Sequence, residues 1–170
     1  MATVSEIRDR ARRDAAATLE VHWSAQPMPV DPVVIARELG IQVYRAQLDG
    51  DTFGMLTWSR GGAEMYLEGD QAPTRMRFTA AHEIGHYVDR TSTIDPELGP
   101  TPSFVDRRSD DTRGTPDEIY ANEFAGSLLM PEAELRPLLA SGMSDIQIAD
   151  YFDVSLQALR YRKSLLGVAA

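Results

Sequence analysis

The sequence predicts an α+β fold: a small mixed or antiparallel sheet in the N-terminal part, a long helix that carries a metal-binding pattern, and a helical C-terminal region. Three observations lead to this prediction. Short segments that alternate apolar and polar residues precede residue 70, an unbroken helical pattern follows Pro73, and helical periodicity returns after Pro116.

The chain opens with two predicted helices. Residues 3–25 place Ala, Leu, Ile and Val at helical spacing between charged residues, which indicates a first helix. Asp31 stands before Pro32, as an N-cap with proline in the first turn does, and residues 33–39 form a short helix that Gly40 ends.

Three strands are predicted next, over residues 41–45, 52–59 and 63–68. The short Arg-Gly-Gly connection at 60–62 predicts that the last two strands form a hairpin. The small sheet therefore precedes the helix that begins near Pro73.

The second half is predicted to contain a long loop and four helices. Residues 91–116 are rich in Thr, Ser, Pro, Gly and Asp and indicate a loop, which is either a tolerated insertion or a lid beside a cleft. Helical patterns then cover the following segments: 116–131, 132–140, 144–152 and 155–166.

Composition narrows the possible functions. The chain has 170 residues, enough for one domain with a small helical appendage, and its net charge is -9, which disfavours broad electrostatic binding to nucleic acid. It has no cysteine, so a metal site would use His, Asp or Glu ligands. No segment reads as a signal peptide or membrane span, and we expect a cytoplasmic protein with no membrane partner.

The motif that carries most information is His-Glu-Ile-Gly-His at residues 82–86. On a helix, His82 and His86 share one face and can bind one zinc ion, which lowers the pKa of its water, while Glu83 can accept the proton. The alternative is a buried helix whose histidines meet ordinary polar partners. The third histidine, His22, lies in the first helix, where we expect a packing or surface role.

A catalytic zinc site takes a third protein ligand, and a carboxylate must supply it here. Glu118 is favoured over Glu123, because Glu118 and Asn122 share a face of the next helix and form a ligand with a side chain that can orient a histidine or the ligand itself. Asp89 and Asp95 lie close downstream of the motif and remain alternatives.

Two separated motifs give the chain a resemblance to a known family. Arg77 to His86 reads RFTAAHEIGH, residues 118–125 read EIYANEFA, and residues 128–131 read LLMP. These segments resemble the ImmA/IrrE family of zinc metallopeptidases. The resemblance extends over residues 27–166 and includes the VDPVVIARELGI segment at 30–41.

That resemblance implies a gluzincin-like site in which His82, His86 and Glu118 hold one zinc ion per chain and Glu83 is the base. It also implies a zinc metalloendopeptidase, of bacterial or phage origin, that cleaves or promotes the cleavage of a helix-turn-helix repressor and so derepresses phage, mobile-element or stress genes. The alternatives are a non-catalytic zinc-stabilised module that binds a repressor or DNA, and a peptidase or amidase for small substrates.

We divide the chain into a zincin-like metallopeptidase domain at 1–141 and a C-terminal helical tail at 142–170. The tail has the spacing of a helix-turn-helix, but its acidic and basic residues nearly cancel. We therefore expect packing or repressor docking rather than direct nucleic-acid binding.

The strand before the metal helix is a candidate substrate site. If residues 63–68 form a sheet edge, their backbone can pair with an extended peptide, and Met65, Tyr66 and Leu67 then contact the substrate. The alternative is an ordinary interior strand.

Overall fold

The computed structural model describes residues 2–59, 61–93 and 114–168 and has the predicted α+β architecture. Seven helices and three strands lie in these ranges. In chain order they are α1 Val4–His22, α2 Pro32–Glu38, β1 Gln42–Ala46, β2 Gly54–Ser59, β3 Gly62–Glu68, α3 Pro73–Thr93, α4 Pro116–Leu129, α5 Glu132–Ala140, α6 Asp145–Phe152 and α7 Leu156–Leu165. Among the described helices, none is long and apolar enough to cross a membrane.

Local capping explains where the first two helices begin. Thr3 and Glu6 form a capping box at α1, and the Asp31 side chain accepts hydrogen bonds from the backbone amides of Val33 and Val34 at the start of α2. The predicted Asp31 cap is confirmed. The first helix ends at His22, slightly earlier than predicted.

The sheet has the order β1-β3-β2. The predicted pairing of β2 with β3 is confirmed and antiparallel, while β1 runs parallel to β3 on its other side. Both sides of β3 are therefore paired within the chain. The prediction that this strand is a substrate-binding edge is wrong.

The residues proposed to contact substrate occupy other roles. Met65 and Leu67 are buried core residues, and the ring of Tyr66 stacks on that of Tyr44 in β1. The alternation of apolar and polar residues and the predicted β2–β3 hairpin did not determine which strand β1 pairs with. Among the described strands, the edges that remain unpaired belong to β1 and β2.

Helices α3 and α4 form the centre of the molecule. Helix α3 continues to Thr93, so the first residues of the predicted loop are helical, and the remainder of that loop up to residue 113 lies outside the described residues. Helix α4 begins after Thr115, whose side chain accepts a hydrogen bond from the Glu118 amide. Its buried residues pack against α1 and α3 and bring the two motif helices together.

The C-terminal helices are fixed to this centre. Helices α6 and α7 are joined by a short turn in which Asp153 has φ 51°, and Ser155 caps α7. From α3, the Arg77 guanidinium donates hydrogen bonds to the carbonyl oxygens of Asp153 and Val30 at 3.0 and 2.8 Å. The domain boundary at residue 141 stays a prediction.

Candidate metal centre

The histidine motif lies on the buried part of α3. His82, Glu83 and His86 are 0, 2 and 2 % exposed. The helix places the two imidazoles one turn apart, with their Nε2 atoms 3.0 Å from each other. Polar groups this deeply buried are costly unless they are hydrogen-bonded or bound to an ion, and a metal ion is a partner that both rings could share.

Helix α4 supplies the third group. The Glu118 Oε1 atom lies 3.6 Å from His82 Nε2 and 3.4 Å from His86 Nε2. Ligand atoms held tetrahedrally at about 2.0–2.2 Å from a zinc ion are themselves about 3.3–3.6 Å apart. The two nitrogen–oxygen separations lie in this range, and the 3.0 Å between the two Nε2 atoms is slightly shorter. His82, His86 and Glu118 are therefore a buried group that can hold a metal ion.

Asn122 fixes the orientation of one imidazole. Its Oδ1 atom lies 3.1 Å from His82 Nδ1. Because an amide oxygen only accepts hydrogen bonds, the Nδ1–H group donates and the lone pair of His82 resides on Nε2, which faces Glu118 and His86. Such a hydrogen bond selects the tautomer that a metal requires.

A close approach of two helices makes this convergence possible. A Cβ atom at Gly85 would lie 3.0 Å from Ala121 Cα and 3.2 Å from Phe124 Cβ. Only glycine fits at this contact without displacing α4. This role of Gly85 was not predicted, although the sequence shows its place between the two histidines and the small residue Ala121 one turn after Glu118.

The alternative carboxylate on α4 belongs to a separate cluster. Glu123 is 2 % exposed, and its Oε1 atom accepts hydrogen bonds from Arg12 Nε at 2.8 Å and from Arg162 Nη1 at 2.7 Å. Arg8 Nε approaches its other oxygen at 3.9 Å. We refer to Glu123, Arg8, Arg12 and Arg162 as the arginine cluster.

Two further candidate ligands, Asp89 and His22, have partners outside the metal centre. Asp89 forms an ion pair with Arg10 of α1, and the Nδ1 atom of His22 lies 3.1 Å from Glu38 Oε2. Neither belongs to the metal-type group among the described residues. Asp95 lies outside the described residues.

A cavity of about 620 Å³ lies behind the centre, between the start of α3, the middle of α4 and α7. Asn122 and Phe78 line it, whereas the three donor residues do not. Asn122 thus lines the cavity and also contacts His82 of the donor group.

Comparison with known proteins identifies the family of this chain. The family model of Peptidase M78, the IrrE N-terminal-like domain, matches residues 36–164, which is most of the chain. The chain belongs to this family. The matched range includes the sheet, both motif helices and the C-terminal helices of this IrrE-like chain. No curated protein matches it.

A solved structure has a similar fold. The "Mycobacterium tuberculosis transcriptional regulator" is 19 % identical to the IrrE-like chain, with a TM-score of 0.61. The match covers 95 % of this chain and 51 % of the other, so the chain spans about half the length of that protein. At this identity the likeness shows the fold alone.

Proposed function

We propose that this chain is a zinc-dependent endopeptidase that cleaves, or promotes the cleavage of, a helix-turn-helix transcriptional repressor. The observation that carries the proposal is the buried convergence of two imidazoles and one carboxylate, with a second carboxylate beside them on α3. Membership in a peptidase family supports the same reaction class.

The donor set has the composition of a catalytic zinc site. Two neutral imidazoles and one carboxylate make three protein ligands, which leaves a position for water or substrate on a four-coordinate ion. When bound by His82, His86 and Glu118, the zinc ion supplies Lewis acidity, which lowers the pKa of water and polarises a carbonyl group.

Glu83 is the residue suited to move the proton. It follows His82 directly in α3 and is excluded from solvent. In the proposed reaction, its carboxylate accepts a proton from the attacking water and then delivers that proton to the departing amine. Asn122 keeps the His82 ring in one tautomer throughout.

Glu83→Gln is the decisive variant, because it removes the proton acceptor and leaves the three donor residues intact. The zinc-loaded wild type and variant are each added to a cytosolic extract from cells that lack the gene, and new protein N-termini are identified by mass spectrometry. We expect N-termini, including one in a helix-turn-helix repressor, that the wild type produces and Glu83→Gln does not.

The same experiment separates this proposal from its alternative. If Glu83→Gln binds zinc normally and the two proteins give identical N-termini, hydrolysis by this centre is excluded. Release of a repressor by both proteins would then identify a zinc-stabilised binding module.

A further inference from the structure

Strand β2 begins at Gly54, and this residue stands directly against the Glu83 carboxylate. A Cβ atom at Gly54 would lie 2.7 Å from Glu83 Oε1 and 3.3 Å from Glu83 Cδ. It would also lie 2.5 Å from Thr79 Cγ2. Carbon and oxygen atoms that are not bonded do not approach this closely, so a side chain at position 54 requires one of the neighbours to move.

The backbone of Gly54 does not itself require glycine. The residue lies in an extended strand, and its φ is not in the left-handed region. The constraint is therefore the space beyond its Cα atom. That space is filled by the side chains of Thr79 and Glu83 from α3.

Strand β2 cannot easily move away from α3, because the Gln71 side chain is hydrogen-bonded to both. The Gln71 side-chain amide donates hydrogen bonds to the carbonyl oxygens of Phe53 and Glu68, both at 3.0 Å. Its oxygen accepts a hydrogen bond from the Thr79 hydroxyl at 3.2 Å. The carbonyl that precedes Gly54 and the α3 residue that Gly54 touches are thus held by one side chain.

These hydrogen bonds of Gln71 determine which neighbour moves when a side chain is added at position 54. Thr79 is 1 % exposed and its hydroxyl donates a hydrogen bond to Gln71, which fixes the Thr79 rotamer. The Glu83 carboxylate is the far end of a side chain with three rotatable bonds. Of the two neighbours of Gly54, it is therefore the one that can rotate away.

We propose that Gly54 is a positioning residue for Glu83: the absence of a side chain at the start of β2 creates the space in which the Glu83 carboxylate stands, and any side chain there displaces it. This inference deepens the proposed function and rests on it for its catalytic consequence. An error of about 1 Å in the placement of a reacting group lowers the rate by about 100-fold.

Gly54→Ala tests the inference. We expect about one zinc ion per chain, a folded protein, a Glu83 carboxylate displaced by about 0.5–1 Å in its crystal structure, and a fall of about 100-fold in kcat with little change in KM. The substrate is the protein that gains a wild-type-dependent N-terminus in the extract experiment.

Two further variants isolate the contact. Thr79→Ser removes the Cγ2 atom and keeps the hydroxyl, so Gly54→Ala combined with Thr79→Ser should remain as impaired as Gly54→Ala. Gly69→Ala is the matched control, since its Cβ would meet only the Ala46 carbonyl oxygen at 3.7 Å. It should match the wild type in zinc content, structure and kcat.

Each outcome has a defined meaning. Restoration of activity by Thr79→Ser, or an unmoved Glu83 carboxylate in Gly54→Ala, would overturn the inference, as would a displaced carboxylate with unchanged kcat. If no wild-type-dependent N-terminus appears, the proposed peptidase function fails, while the crystal structure of Gly54→Ala still decides whether Gly54 positions Glu83.

Discussion

Helix α4 carries two buried carboxylates whose partners differ in kind. Glu118 faces the two imidazoles. Glu123 faces the guanidinium groups of Arg8, Arg12 and Arg162. Arginine is always charged, so Glu123 is neutralised by the protein itself. Imidazoles bind a metal ion in their neutral form, so in a metal-loaded centre the Glu118 carboxylate would be the ligand that carries negative charge to balance the cation.

The comparison shows that burial of an acid does not identify a ligand. Glu123 is the more buried of the two, and it joins α1, α4 and α7 through its arginines. Burial lowers the pKa of the Arg162 guanidinium, while the neighbouring Glu123 carboxylate opposes this shift. The chemical type of the partner, arginine or histidine, distinguishes a structural carboxylate from one that can bind a metal ion.

The largest expected effect is on stability. Glu123→Gln leaves three arginines around a neutral side chain, so the free energy of unfolding should fall by about 3–5 kcal/mol. Urea unfolding with chelator present measures this value. Glu118→Gln in the same buffer should change it much less, and equal losses for the two variants would show that their environments do not differ as described.

The second effect is on metal content. Glu118→Gln and His86→Ala each remove one of three donor atoms, so zinc should fall from about one ion per chain to near background. Elemental analysis after purification without chelator measures it. Glu123→Gln is the control, because a folded fraction of that variant should still bind zinc; if it loses zinc while Glu118→Gln retains it, the ligand assignment is wrong.

The smallest effect concerns Asn122. Its alanine variant loses the acceptor for His82 Nδ1–H but keeps all three donors, so zinc affinity should fall by about 10–100-fold. Competition with a chromophoric chelator measures the affinity. Asn122→Asp retains an acceptor oxygen and should weaken binding less; an unchanged affinity for Asn122→Ala would remove this residue from the site.

Much of this arrangement is local and could be predicted from the sequence. Proline and capping residues mark helix starts at Asp31, Pro73 and Pro116, and helical phase alone separates Glu118 from Glu123. The order of the strands could not be predicted in this way. A period of two assigns side chains to faces of a sheet, but β1 pairs with β3 and not with β2, the next strand in the sequence, and no local pattern records that.

The remaining errors arise from tertiary contacts. Two of the basic residues that enter the charge balance of the tail, Arg162 and Lys163, are buried and paired, with Glu123 and Asp145 respectively. Of the basic residues on α7, Arg160 is the exposed one. Composition alone therefore overstates the positive charge that the tail exposes.

The contact between Gly85 and Ala121 has a consequence for protein design. The spacing of the donor atoms depends on two helix backbones that touch where a side chain is missing. A designer who transplants only the two histidines and the glutamate onto another helix pair would obtain donors that stand too far apart. The design must therefore transplant both helix surfaces, including the small residues Gly85 and Ala121 at the helix crossing as well as the ligands.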